Sequence, residues 1–231
     1  MKPFLKLLSP AVLLLTGTLA LALAQQPSAQ ERALALKASL AASQAILKNY
    51  EWVETTVVNL KGDEKSRQMD RCYYGADGKV QKIPLTTPPP GEKKRGLRGR
   101  IAEAKKEELT DYMKEAVALV KQYMPPDQAR IQAAKDAGRV SITPLPGQRA
   151  RLTFTDYLKA GDNLAVEVDL ASNRPVAAKV SGYLDSQKEP ITLDVQFGVL
   201  DSGATYTAST VLNAPAKDLL VRVENSGYRR Q

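Results

Sequence analysis

The residues able to do chemistry in this chain are few, and the first group is Glu51, Trp52 and Glu54 in the run NYEWVETTV. An aromatic ring between two carboxylates is the pattern of a sugar platform with a general acid and a second carboxylate beside it. Strand periodicity gives a plainer account. Trp52, Thr56 and Val58 share one strand face, which makes Trp52 an anchor in a core or at its rim and the two acids ordinary solvent-face residues. Histidine is absent and Cys72 is the single cysteine. Ser-His-Asp and Cys-His catalysis, histidine general bases and the usual zinc sites are thereby excluded, and so is an internal disulfide. Cys72, between Arg71 and Tyr73-Tyr74, reads as a small buried hydrophobe; Arg71 modestly favours a thiolate, and an intermolecular disulfide stays open. Asp156, Asp162, Asp169, Asp185 and Asp201 fall at strand ends and turns, where Asp is favoured for local backbone hydrogen bonds, without calcium-loop spacing. The expectation is no catalytic residue, no metal, no cofactor and no enzyme.

Charge is the second feature. Lys and Arg number 33 against 25 Asp and Glu, for a net charge of +8. Much of the excess sits in PPPGEKKRGLRGR, residues 88–100, where Lys93, Lys94, Arg95, Arg98 and Arg100 face Glu92 alone. Gly96 and Gly99 leave the backbone permissive before a helix start, and such a start with flanking Arg can hold an anion. The spacing matches no phosphate-loop fingerprint. No aromatic residue interleaves with the charges, so no nucleic-acid partner is expected. Two uses stay open: a solvated loop beside a helix, and contact with an anionic membrane surface or an acidic partner.

The elements that must position these residues begin with a leader. Lys2 and Lys6 precede an apolar run interrupted by Pro10 and Gly17, and Ala22-Leu23-Ala24 is a cleavage site before Gln25. Residues 1–24 read as a signal peptide rather than a membrane span, which needs about 20 apolar residues. The expected location is outside the cytoplasm, periplasmic before fully secreted, and 25–231 is expected to form a single domain. A helix over 31–48 follows, with Leu36, Leu40 and Ile46 or Leu47 on its apolar side. Three antiparallel strands are predicted near 51–60, 66–74 and 79–84, punctuated by Lys61-Gly62-Asp63 and Asp77-Gly78. Pro88 to Pro90 stop the sheet. In 101–124, Leu109, Tyr112/Met113, Ala116/Val117, Val120 and Tyr123/Met124 recur at helical spacing, with Lys105, Lys106, Glu107, Glu108, Lys114 and Glu115 on the polar face. A shorter helix over about 126–137 is closed by Gly138. Six strands then follow, roughly 151–158, 162–170, 175–184, 190–200, 204–213 and 218–225. Short turns join them into a meander with one apolar face. The fold class is α+β: a curved antiparallel sheet covered by the N-terminal helix and an inserted helix pair.

Signal peptide, long helix, strands opening NYEWVETTV, a helical insertion and a longer meander ending LLVRVENSGYRR resemble the periplasmic lipoprotein-carrier fold, the LolA-like half-barrel shared with LolB and the RseB sensor domain. The resemblance spans nearly the whole chain beyond the leader and lies in layout; no short motif carries a residue role across. It implies a sheet wrapped around an apolar cavity for acyl chains, and hence a lipid or lipidated protein as partner. The matching lining would be Leu164, Val166, Val168, Val195, Phe197 and Val199, with Met113, Val117 and Val120 on the helical lid. The same residues are equally those of a filled core. Two functions therefore stand: an exported binder of an amphiphile, and an envelope interaction module without a ligand.

Overall fold

The computed structural model describes residues 29–86, 97–124 and 126–231, with backbone only at 29, 30, 32 and 33 and over 97–106. The leader and Lys93, Lys94 and Arg95 lie outside the described residues. Arg98 and Arg100, expected in the loop, fall in the first turn of the second helix.

Helix α1 (Ala29–Leu47) leads into β1 (Tyr50–Leu60), β2 (Asp63–Tyr74) and β3 (Val80–Pro84). The β1–β2 turn uses only Lys61 and Gly62, at φ 56° and 83°. Both are left-handed, the geometry that matches the twist of a two-residue hairpin. Helices α2 (Leu97–Val120) and α3 (Gln128–Asp136) are inserted next. Asp127 caps α3 by accepting the Arg130 N–H, and Gly138, at φ 67°, follows its C-terminal end. Seven strands complete the chain: β4 (Val140–Leu145), β5 (Arg149–Thr155), β6 (Asn163–Asp169), β7 (Arg174–Tyr183), β8 (Pro190–Val199), β9 (Thr205–Ala214) and β10 (Leu219–Arg230). The expected fold class, a curved antiparallel sheet covered by an N-terminal helix and an inserted helix pair, is the one observed.

All ten strands form one open sheet in the order β3-β2-β1-β10-β9-β8-β7-β6-β5-β4, every neighbour antiparallel. The pairing of β1 with β10 joins the two strand groups that the helices separate in sequence. Register shifts in β1, β6 and β8 pairings mark bulges, which bend the sheet. Strand β4 was not expected. It lies at a sheet edge and contains Pro144, which an edge tolerates because a missing N–H there can face solvent.

The covered face is filled over its β5–β9 half. Leu152, Phe154, Leu164, Val166, Val168, Val180, Ile191, Leu193, Val195 and Leu212 pack in one cluster with Leu36 of α1, Tyr112 and Ala116 of α2, and Ala134 of α3. Tyr123, just past α2, is fully buried there, and its hydroxyl donates to Asp162 at 2.7 Å. Asp162 in turn accepts from the backbone N–H groups of Tyr157, Leu158 and Lys159 at 2.6, 3.1 and 2.9 Å. A buried carboxylate with this many donors fixes the β5–β6 connection and ties the helical insertion to it.

Candidate ligand-binding site

At the other end of the covered face, beneath the C-terminal half of α1, lies a cavity of about 330 Å³. Strand alternation builds its wall. Trp52 and Glu54 are two residues apart on β1, so they share a face, and cross-strand register sets Cys72 opposite Trp52 and Asp70 opposite Glu54. Lys82 of β3 pairs across from Cys72, and Val80 from Tyr74. From the far side come Phe197 of β8, Thr205, Tyr206 and Thr207 of β9, and Asn225 and Tyr228 of β10; Leu40, Gln44 and Leu47 of α1 form the roof.

Four aromatic rings form a continuous row. Tyr74 meets Trp52 at 5.6 Å between ring centres, tilted by 50°; Trp52 lies near-parallel to Tyr228 at 5.5 Å; and Tyr228 meets Tyr206 at 4.5 Å. These separations fall in the attractive range for aromatic pairs. The Trp52 ring edge is fixed because Nε1 donates to Asn225 Oδ1 at 3.0 Å, and Asn225 Nδ2 donates to the Thr207 carbonyl at 3.0 Å. This relay spans β10 and β9 just beyond their last backbone pair, Glu224 with Ser209. Tyr206 lies against Gly198, where a Cβ would come within 2.6 Å of the ring. Glycine is therefore what lets the tyrosine settle there.

The electrostatics are asymmetric. Glu54, with a side chain 15 % exposed, is ion-paired with the half-exposed Lys82. Asp70, 4 % exposed, accepts from Gln68 Nε2 at 3.0 Å. Burial pushes the Cys72 thiol up to about 11, with the Glu54 charge adding to the effect, so Cys72 is a protonated, packed group. Burial likewise raises Tyr74 and Tyr228, keeping both phenols neutral.

A polar contact ties the roof to the sheet: Ser43 Oγ accepts the buried Thr205 N–H at 3.0 Å while donating to the Ser39 carbonyl at 2.9 Å. Thr205 Oγ1 is buried without a hydrogen-bond partner. On the outer side of α1 a groove of about 350 Å³ runs against Pro126, Asp127 and Gln128 and shares Leu40 and Gln44 with the cavity. It passes into a wider depression of about 580 Å³ bordered by Leu34 and Ile131. Helix α1 thus has open space along both flanks.

No protein-family model and no curated protein matches the chain. Solved structures do. A LolA superfamily protein from Nitrosomonas europaea is 10 % identical with a TM-score of 0.38, covering 85 % of this chain and 93 % of its own. A DUF1329 family protein from Desulfovibrio piger is 12 % identical at 0.35 with the same coverages. An outer membrane lipoprotein-sorting protein domain from Vibrio parahaemolyticus is 12 % identical at 0.34, covering 83 % and 91 %. At such identities and TM-scores the function has to be read from the site itself.

Of the nine residues expected to line a cavity, Phe197 borders the one observed. Leu164, Val166, Val168 and Val195 are buried in the filled core, and Met113 and Val120 pack partly buried against it. Val117 and Val199 are 44 % and 51 % exposed. Helix α2 turns Tyr112 and Ala116 inward instead, one residue before the face drawn through Met113 and Val117. The expectation that Glu51 and Glu54 are ordinary solvent-face residues is corrected as well. Three residues apart on a strand, they point to opposite faces: Glu51 pairs with Arg229 and Arg71, while Glu54 lines the cavity with Trp52. The Trp52-Glu54 parity was visible in the sequence; Tyr74 and Lys82 join it through the β1–β2 and β2–β3 pairings, and Tyr206, Asn225 and Tyr228 only through the β1–β10 pairing.

Proposed function

We propose that this protein is exported and binds an amphiphilic molecule non-covalently, its apolar part lying between the sheet and α1. The observation that supports this reading is the cavity under α1 together with the groove on its outer flank, which share Leu40 and Gln44. Leu40, Leu47, Val80, Phe197 and the aromatic row offer apolar contact, and each CH₂ taken out of water contributes about 0.8 kcal/mol. A small outward shift of α1 would merge the two spaces. Among the described residues no helix is long and apolar enough to cross a membrane. In this reading Lys93, Lys94, Arg95, Arg98 and Arg100 steer the protein to anionic surfaces.

The test is native mass spectrometry of protein purified gently from an envelope fraction, followed by extraction of whatever it carries. A stoichiometric lipid or acylated peptide is the expected result. A bare protein that also refuses added phospholipid sinks the reading. The filled β5–β9 core favours the second reading, an envelope interaction module whose partner contacts the basic segment.

A further inference from the structure

The cavity carries a charge preference that an acyl-binding site does not require. Among the described residues its only charged lining groups are Glu54 and Lys82. Glu54 is the buried member of that pair and Lys82 the half-exposed one. Behind Glu54, directly opposite it in the β1–β2 register, stands the buried Asp70. Like charges directly opposite each other on a sheet repel. The ion pair at this wall is Glu54 with Lys82, and Asp70 adds a second carboxylate behind it, in a protein whose overall charge is positive. The neighbouring surface is aromatic, and ring faces attract cations within about 6 Å of their centres. Tyr74 and Trp52, tilted by 50°, make a corner beside Glu54. An anion entering here would meet Glu54 and ring faces, with only the already paired Lys82 in its favour.

We propose that the cavity recognises a cationic amine, a primary or quaternary ammonium group lodged in the corner between Trp52 and Tyr74, with Glu54 as its counter-ion. The Lys82 ammonium is the counter-ion that Glu54 already has, and it is displaced from Glu54 on binding. This inference extends the amphiphile reading by naming the polar end of the ligand. The same ammonium chemistry can come from a lipid headgroup or from a free amine.

Trp52 is the sole tryptophan, so its fluorescence reports on the site without a label. The probes are dodecyltrimethylammonium, dodecyl maltoside and dodecyl sulfate below their micellar concentrations at fixed ionic strength, together with tetramethylammonium alone. The cationic surfactant is expected to bind at least about tenfold more tightly than the maltoside. Glu54→Gln should bring that ratio close to one, with the maltoside titration of the same variant as its reference. Lys82→Met should raise the ratio several-fold, since the competing internal cation is gone, and it carries the test alone should Glu54→Gln fail to fold by circular dichroism. Equal binding of all three surfactants, tighter binding of the sulfate, or a ratio that neither substitution moves overturns the inference while the amphiphile reading survives. Saturable binding of tetramethylammonium with no gain from the dodecyl chain supports the ammonium site, points to a free amine and removes the amphiphile reading. Failure of every probe to bind overturns both.

Discussion

Asp162 shows how much a single side chain does in this protein. Its two oxygens accept from three backbone N–H groups and the Tyr123 hydroxyl, all at or below 3.1 Å. An amide in its place turns an NH₂ toward donors that need an acceptor. Asp162→Asn should cost about 3 kcal/mol, read as a lower urea midpoint at unchanged slope; a loss well under 1 kcal/mol would mean that water replaces the carboxylate. Cys72 supplies a pH signature. Its thiol loses its proton near 9.0 when unfolded and near 11 in the fold. Between these values the native state holds more protons than the unfolded chain, so the stabilisation present below pH 9 is lost as pH rises toward 11. Urea midpoints from pH 8 to 11 should fall more steeply in the wild type than in Cys72→Ala, with the tyrosines that burial raises, Tyr74, Tyr112, Tyr123, Tyr157 and Tyr228, contributing to the slope that remains. Identical slopes in the two proteins would refute the burial account of this thiol.

At the scale of elements, α1 both stabilises the fold and roofs the cavity, and Ser43 joins the two roles. Ser43→Ala leaves the buried Thr205 N–H without its acceptor, at a cost of about 1–2 kcal/mol. Amide exchange in α1 should accelerate more than in β6, whose protection rests on the other half of the core. Uniform acceleration would show that α1 opens only when the whole domain unfolds. The elements also differ in how readable they are from sequence, for physical reasons. Strand β6 declares itself because Leu164, Val166 and Val168 are buried while the residues between them are only partly so. Strand β4 does not, because an edge strand that is largely exposed and carries Pro144 has no alternation for burial to impose. In α2 the apolar stripe is broad enough to permit two faces, and the fully buried Ala116 marks the one that faces the core. The aromatic site was beyond reach of periodicity: Trp52 and Tyr74 are far apart in the chain from Tyr206 and Tyr228, and the pairing of the first strand with the last is a property of the whole topology.

Taken whole, the sheet divides its labour along its length. Most of the β5–β9 half is a packed core under α2, α3 and Leu36 of α1, and the β1–β3 end together with β10 and the Phe197 to Thr207 ends of β8 and β9 leaves space under the C-terminal half of α1. Stability and binding should therefore respond to different substitutions. Leu164 is fully buried in the packed half, so Leu164→Ala should lower stability by about 2–5 kcal/mol through lost transfer energy and an unfilled cavity. Its effect on ligand-induced Trp52 fluorescence should be small at temperatures where the variant stays folded, because Leu164 is not among the residues bordering the cavity. Phe197 is partly buried at the boundary of the two halves and borders the cavity directly. Phe197→Ala should cost less stability than Leu164→Ala yet weaken dodecyl-chain binding by about tenfold or more, since it removes apolar contact from the ligand rather than from the core. Measuring both variants by urea titration and by surfactant titration separates the two halves. Should Leu164→Ala abolish binding while Phe197→Ala leaves it intact, the ligand space would have to lie within the β5–β9 core, and the division of the sheet proposed here would be reversed.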